Sequence, residues 1–280
     1  MANLTQLKML EELNAVLLVD KPAGIAFSTV VKTVKRKFNL VKVGHGGSLD
    51  TAASGLLVLL INDANKYVGD IMGADRTYTG TMRLGVKTNT GDTHGEKFER
   101  FEKFEKFEKS EEGNDGSNPS NLSNLSNLSN LSNSSNSSNS SNSSNLSNLS
   151  NLSNISRDFK GDIFQTEPRY CSVRREGAAE YEIADTGEHK PILVHVWDFK
   201  LGELSGDTLP FEVSATKGLI VRALVSDFGD AIGCGAALDA SRRIRVGNFK
   251  VEDAIKFGDL LNLEIGDFAS CTIPLAKALR

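Results

Sequence analysis

Gly44-His45-Gly46-Gly47-Ser48-Leu49-Asp50-Thr51-Ala52-Ala53-Ser54-Gly55, followed at once by Leu56-Leu57-Val58-Leu59-Leu60-Ile61, is the stretch from which the rest of the chain is read. Glycine opens backbone conformations closed to other residues and admits a ligand or a second backbone at close range. The unbroken apolar run reads as a buried strand that holds the loop before it. Asp50 then sits on an irregular segment braced by core, a position suited to a reacting group. The same residues also fit a tight turn whose Asp hydrogen-bonds its own backbone, and the local sequence leaves both readings open.

Outward from this stretch, elements follow from periodicity and punctuation. Residues 1–13 form a short polar lead, and Ala15–Val19 a strand ended by the turn Asp20-Lys21-Pro22-Ala23-Gly24, where Pro fixes φ and Gly supplies the unusual one. Ser28 is the expected N-cap of a helix from Thr29 to Phe38. Its apolar face is Val30, Val31, Val34 and Phe38, with Lys32, Lys35, Arg36 and Lys37 mostly opposite. Asp63–Val68 begins a short helix. Thr77–Leu84 alternates as a strand, with Tyr78, Gly80, Met82 and Leu84 on one face. Residues 86–97 have a loop composition. Later strands are expected at Lys190–Phe199, Leu209–Ser214 and Arg242–Phe249. Helices are expected at Leu219–Ile232, stopped by Gly233, and at Val251–Phe257. Strands and helices mix without a βαβ rhythm. The fold class is therefore α+β, a mixed, mainly antiparallel sheet flanked by helices.

Between these parts the chain changes character. Phe-Glu-Lys recurs with period three from Phe98 to Lys109, and Ser-Asn-Leu or Ser-Asn-Ser from Ser117 to Ser156. Period three keeps no apolar stripe on a helix and alternates faces on a strand. Ser and Asn also compete for backbone hydrogen bonds. Residues 110–155 are expected to be disordered and 98–109 at most a marginal helix.

Composition sets bounds. The chain has 280 residues, 39% hydrophobic and 24% charged, enough for one or two globular domains with a true core. No apolar run is long enough to span a bilayer, and the first residues lack the layout of a signal peptide. Cys171, Cys234 and Cys271 are widely spaced and suggest neither a metal site nor a disulfide framework, so the cytoplasm is the expected compartment. Net charge is −4, of which residues 98–154 contribute −3 (four Lys/Arg, seven Asp/Glu). A nucleic-acid surface on such a chain has to be a local patch, for which Lys32, Lys35, Arg36, Lys37 and Lys42 are the candidate; a solvated helix face is the alternative.

Five stretches, in order, resemble the TruB family of tRNA pseudouridine synthases. Gly44–Gly55 is similar to its G-H-x-G-x-L-D-x-x-A-x-G pattern, and Leu17–Gly24 to its LDKPxG opening. Arg76-Thr77-Tyr78 with Arg83-Leu84-Gly85 is similar to its KxY…xLG strand. Gln165, Pro168, Tyr170, Ser172 and Arg174 resemble QxPPxYSAxK. Lys217-Gly218, Arg222, Gly233–Ala236 and Arg242-Arg243 resemble the last motif. The family resemblance implies an isomerase that acts on uridine 55 of the TΨC arm of tRNA, without cofactor or metal, as a monomer. It implies Asp50 as the essential carboxylate, Arg222 as its partner and Tyr78 against the uracil. It also implies substrate contacts from His45, Lys21, Pro22, Gly24, Gly47, Leu49, Ile220 and Ser241, with Lys21, Pro22 and Gly24 at the pocket's edge. Thr51 stands where the family has Pro, Gly46 where it has Thr, and Ile220 and Ser241 where it has Tyr and Leu. The expected organisation is a catalytic domain of residues 1–97 and 157–258, a low-complexity insertion at 98–156, and a C-terminal tail at 259–280 with no PUA-type RNA-binding domain. A second reading is a catalytically impaired RNA-binding or tRNA-folding relative. A third, a nucleotide-binding or glycosidase-like enzyme, lacks both a phosphate loop and an assignable carboxylate pair.

Overall fold

The computed structural model describes residues 4–100, 152–166 and 191–278. Helix α1 (Leu4–Glu11) leads into β1 (Ala15–Lys21), and α2 (Phe27–Lys37) into β2 (Val43–His45) and β3 (Ser54–Ile61). A 3-10 turn at Asn62–Tyr67 and α3 (Val68–Gly73) precede β4 (Arg76–Leu84), and β5 (Val86–Thr88) pairs with β6 (Lys97–Arg100). Then come β7 (Gly161–Gln165), β8 (Ile192–Leu201), β9 (Thr208–Ala215), α4 (Val221–Ile232), β10 (Ala236–Val246), β11 (Phe249–Lys250) and β12 (Ile255–Lys256). The chain continues through α5 (Phe257–Asn262), β13 (Ile273–Pro274) and α6 (Leu275–Ala278).

Among the described residues, eleven strands form one sheet in the order β12-β1-β3-β10-β4-β9-β8-β7, with β2 on β3, β11 on β10 and β13 on β1. Neighbours along this order run antiparallel except β1–β12 and β3–β10. The α+β expectation of a mixed, mainly antiparallel sheet therefore holds. The parallel β3–β10 contact, with Arg242 opposite Ser54 and Arg243 opposite Gly55, is the seam between two halves.

The halves are covered differently. Leu57, Leu59 and Ile61 of β3 pack with Val30 and Val34 of α2, with Phe38 just after it, and with Leu260 of α5. Leu56, Val58 and Leu60 pack on the other side with Ala64, Ile71 and Val246. Burial on both faces explains why this strand reads as a continuous apolar run. On β4 only one face is sealed: Tyr78, Met82 and Leu84 join Val213, Leu224 and Phe228 in a separate core. Thr77, Thr79, Thr81 and Arg83 face the other way, and the Thr77 hydroxyl lies 2.6 Å from that of Ser214 on β9.

Several expectations are corrected. The α2 helix starts at Phe27, with Ala26 as its extended N-cap residue and no side-chain cap, so Ser28 lies inside the first turn. Phe27 packs its ring 4.9 Å from that of His45, a tertiary contact that fixes the start of the helix. Residues 86–97 are not all loop, because their ends pair as β5 and β6, and residues 97–100 are strand instead of marginal helix. Residues 101–151 lie outside the described residues. Residues 152–155, within the segment expected to be disordered, belong to a helix of residues 152–158, and Leu152, Ile155 and Phe159 pack on the β4–β9 core at helical spacing. The expected helix at 251–257 is only a 3-10 turn at Val251–Asp253. Ile255-Lys256 instead pairs with Val19-Asp20 along an open edge of β1. Leu260 and Phe268, in the segment read as a tail, are buried, and Phe268 stacks on Phe38 at 4.0 Å.

Candidate active site

The loop of residues 46–53, between β2 and β3, is held from below by cations. Arg76 donates to the Gly46 carbonyl (3.2 Å). Arg243, 1% exposed, donates to the carbonyls of Gly47 (3.3 Å), Ser48 (2.8 Å) and Leu56 (2.8 Å). Lys21, wholly buried, donates to Thr51 (3.3 Å), Pro22 (2.9 Å) and Ile25 (2.8 Å). Buried cations satisfied by successive carbonyls fix the loop's path and leave its outer side free. Burial, seconded by Arg243 and opposed by Asp50, pulls the Lys21 ammonium down to about 8. Glycine is needed at two points. A Cβ on Gly47 (φ +135°) would stand 2.8 Å from the Arg76 guanidinium, and one on Gly55 (φ +103°) 2.3 Å from the Arg243 carbonyl.

Asp50 rides on top, its side chain 42% exposed, with its carbonyl accepting from Ala53 N (3.1 Å). The other half of the sheet supplies Arg222, in the first turn of α4, with Nε 3.2 Å from Asp50 Oδ2. The Arg222 side chain is 8% exposed; its Nη1 donates to the Thr90 carbonyl (2.9 Å) and lies 3.8 Å from Asp92 Oδ2. Asp92 is itself tied down by the Thr90 hydroxyl (2.8 Å) and the His94 amide (3.0 Å). The fully buried Gln165 grips the entry to α4 twice: its Oε1 accepts from Ile220 N (3.0 Å) and its Nε2 donates to Ile220 O (3.3 Å). The guanidinium is thus aimed from two directions before any ligand arrives.

Gly47, Leu49, Asp50, Tyr78, Ile220, Arg222 and Ser241 line one open groove, together with Leu193 and Lys217. Tyr78 enters it from β4, opposite Arg243 in register, and is 7% exposed. Other singled-out residues lie elsewhere. Lys21, expected at the pocket's edge, is beneath the loop because three carbonyls cage its ammonium there. Pro22 and Gly24 are exposed outside the groove, although Gly24 N bonds Thr51 O at 2.8 Å. His45 does not line the groove either; it packs on Phe27, and its Nδ1 accepts from Gly47 N at 3.3 Å. Pro168, Tyr170, Ser172 and Arg174 lie outside the described residues. Asp92 escaped the sequence reading because Thr-Gly-Asp has an ordinary turn composition. Arg76, Arg243 and Gln165 stand in the family motifs, but nothing in their local sequence points to the supporting parts they play.

Among the described residues, no group of three or more His, Cys, Asp and Glu is placed to hold a metal ion, and no helix is long and apolar enough to cross a membrane.

The chain resembles known proteins along most of its length. A model of the TruB family pseudouridylate synthase N-terminal domain matches residues 35–126. The tRNA pseudouridine synthase B of Dechloromonas aromatica (strain RCB) is 30% identical over 257 residues, covering 91% of this chain and 72% of that protein. The tRNA pseudouridine synthase B of Burkholderia pseudomallei (strain 668) is 31% identical over 246 residues, covering 87% and 68%. The crystal structure of a Cbf5-Nop10-Gar1 complex superposes with a TM-score of 0.63 at 22% identity, over 97% of this chain and 63% of that one. An H/ACA RNP bound to a substrate RNA containing 2′-deoxyuridine gives 0.60 at 21% identity, over 97% and 62%. At these identities the likeness is one of fold, and the chain spans less than two thirds of either structure's matched chain.

Proposed function

The chain belongs to the TruB family of pseudouridylate synthases, and we propose that it isomerises uridine 55 in the TΨC arm of tRNA, with Asp50 as the essential carboxylate. The observation that carries the proposal is the Asp50–Arg222 pair on the floor of a groove walled by Tyr78. The names of its relatives support tRNA as the substrate.

The reaction is an isomerisation and calls for neither oxidant nor cofactor. The bond from uracil N1 to ribose C1′ breaks, the ring turns, and its C5 joins C1′. The C5 proton leaves and N1 gains one, so composition is unchanged. Asp50 serves either as nucleophile on the sugar or as base for a sugar proton on the way to a glycal. In both routes its carboxylate has to be ionised and aimed. Arg222 serves this with a charged, planar donor set anchored by Thr90 and Asp92. Uracil stacked in an RNA loop must be everted, at roughly a few kcal/mol. The ring of Tyr78 offers a face for stacking and a phenol for proton transfer.

The test is pseudouridine mapping, by carbodiimide labelling, on a TΨC stem-loop and on full-length tRNA treated with wild type or Asp50→Asn. Product at uridine 55 from wild type, reduced at least about thousandfold in the variant, is expected. Equal product from both removes Asp50 from the mechanism. Tight RNA binding by the wild type with no product at any enzyme concentration selects the RNA-binding reading instead.

A further inference from the structure

We propose that the exposed cationic face of α2, continued by Lys42, is a docking surface for the RNA phosphate backbone outside the groove, an inference that rests on the function proposed above. From Lys21 to Leu49 the chain carries six Lys/Arg and no Asp or Glu, although the whole chain has a net charge of −4. Lys21 is consumed beneath the loop, and Lys37 donates to the Leu261 carbonyl at 2.6 Å. Lys32, Lys35, Arg36 and Lys42 remain exposed. No carboxylate among the described residues lies within ion-pair distance of any of these four.

The helix itself sorts the charge. Val30 and Val34 are buried against β3, whereas Lys32, Lys35 and Arg36, at spacings of three and four, rise from one outer stripe. The flanking C-terminal segment carries Asp259, Glu264 and Asp267, none of which is paired with α2. In the chain itself no acid lies between Asp20 and Asp50.

The stripe is also tied to the groove. Phe27 at the start of α2 packs on His45, which is joined to Gly47 in the groove wall. From Phe27 the helix runs for about 16 Å at 1.5 Å per residue. The stripe's unpaired positive charge and its link to the groove wall suit a polyanion with one base everted into the groove and its neighbouring phosphates outside it. Phosphate contacts of this sort supply affinity and register while leaving the chemical step alone.

The experiment uses the full chain with a full-length tRNA transcript, measuring binding from about 50 to 300 mM salt and single-turnover pseudouridine formation at saturating RNA. The variant Lys32→Gln/Lys35→Gln/Arg36→Gln replaces three cations by good helix formers. Its slope of log affinity against log salt is expected to fall by about two to three. Its affinity at low salt should drop at least about tenfold, with the saturating rate within about twofold of wild type. Val41→Lys, at a site 63% exposed beside Lys42, adds a cation and should steepen the slope by about one. It keeps the proposal testable if the triple variant does not fold. A control, Lys250→Gln/Lys256→Gln/Lys277→Gln, removes the same charge elsewhere and should leave the slope close to wild type. An active wild type whose slope is unmoved by α2 changes, or moved equally by the control, overturns the docking surface and leaves the function standing. A wild type that forms no pseudouridine at all overturns the function and this inference with it.

Discussion

The two halves of the sheet obey different rules. In the β1–β3 half, both faces of the strands are sealed, by α2 and α5 on one side and by the Asn62–Gly73 segment with β10 residues on the other. In the β4–β9–β8 half, α4 and its neighbours seal one face, and the other is left to threonines, Lys200 and Glu212. The sealed half gives the Asp50 loop a floor that does not yield. The half-open side gives Arg222 on a helix that arrives from elsewhere, and Tyr78 on a strand with one wet face. The candidate groups come from both sides and meet beside the parallel β3–β10 contact, and neither half alone supplies Asp50, Arg222 and Tyr78 together.

Breaking the link between the halves should have the largest effect. Arg222→Ala is expected to lower kcat for pseudouridine formation by about 10²–10³-fold, with a smaller change in KM. Single-turnover rates against RNA concentration check it, and an unchanged kcat would separate Arg222 from the chemistry. Next comes the sealed half. Leu59→Ala, at a position with no exposure, should cost roughly 2–5 kcal/mol of stability in urea titrations. A loss below about 1 kcal/mol would mean that this half is as yielding as the other.

The cation under the loop gives a smaller, pH-dependent signal. The Lys21 ammonium is held at about 8, below its ordinary 10.5. Between these values the unfolded chain binds more proton than the folded one, so this residue makes stability rise with pH across that window. Measured against Lys21→Met, wild-type stability should gain at most about 1.4 kcal/mol per pH unit from pH 8 to 10.5, with no such gain below pH 7. A flat difference from pH 7 to 10 refutes the depressed ammonium. The smallest effect is expected on the open face, where Thr79→Ala should change stability by about 0.5 kcal/mol or less.

The same contrast governs what could be read in advance. Leu56–Ile61 announced a buried strand, and Tyr78-Gly80-Met82-Leu84 a one-sided one, because side-chain periodicity is a local property. Asp50 stands out locally as the acid of a glycine-crowded segment braced by core, whereas Tyr78 and Arg222 are marked only by their motifs. Seen alone, Arg222 is an ordinary helix arginine. Asp92 looked like a turn residue, and nothing near Gln165 announces that it clamps Ile220 across 55 residues. Ile255-Lys256 read as helix because the edge of β1 that captures it is more than two hundred residues away in the chain.

Sequence alone determined the mixed α+β character, the glycine-crowded acidic loop, the acid-free basic stretch of α2 and the order of the family motifs, since each is written in neighbouring residues. Only the tertiary structure decided which carboxylate meets which guanidinium, that Lys21 supports the loop from beneath instead of rimming the pocket, and that Asp92 and Gln165 steer Arg222. Those outcomes depend on contacts between segments distant in the chain, and burial fixes such contacts only when the whole sheet has closed.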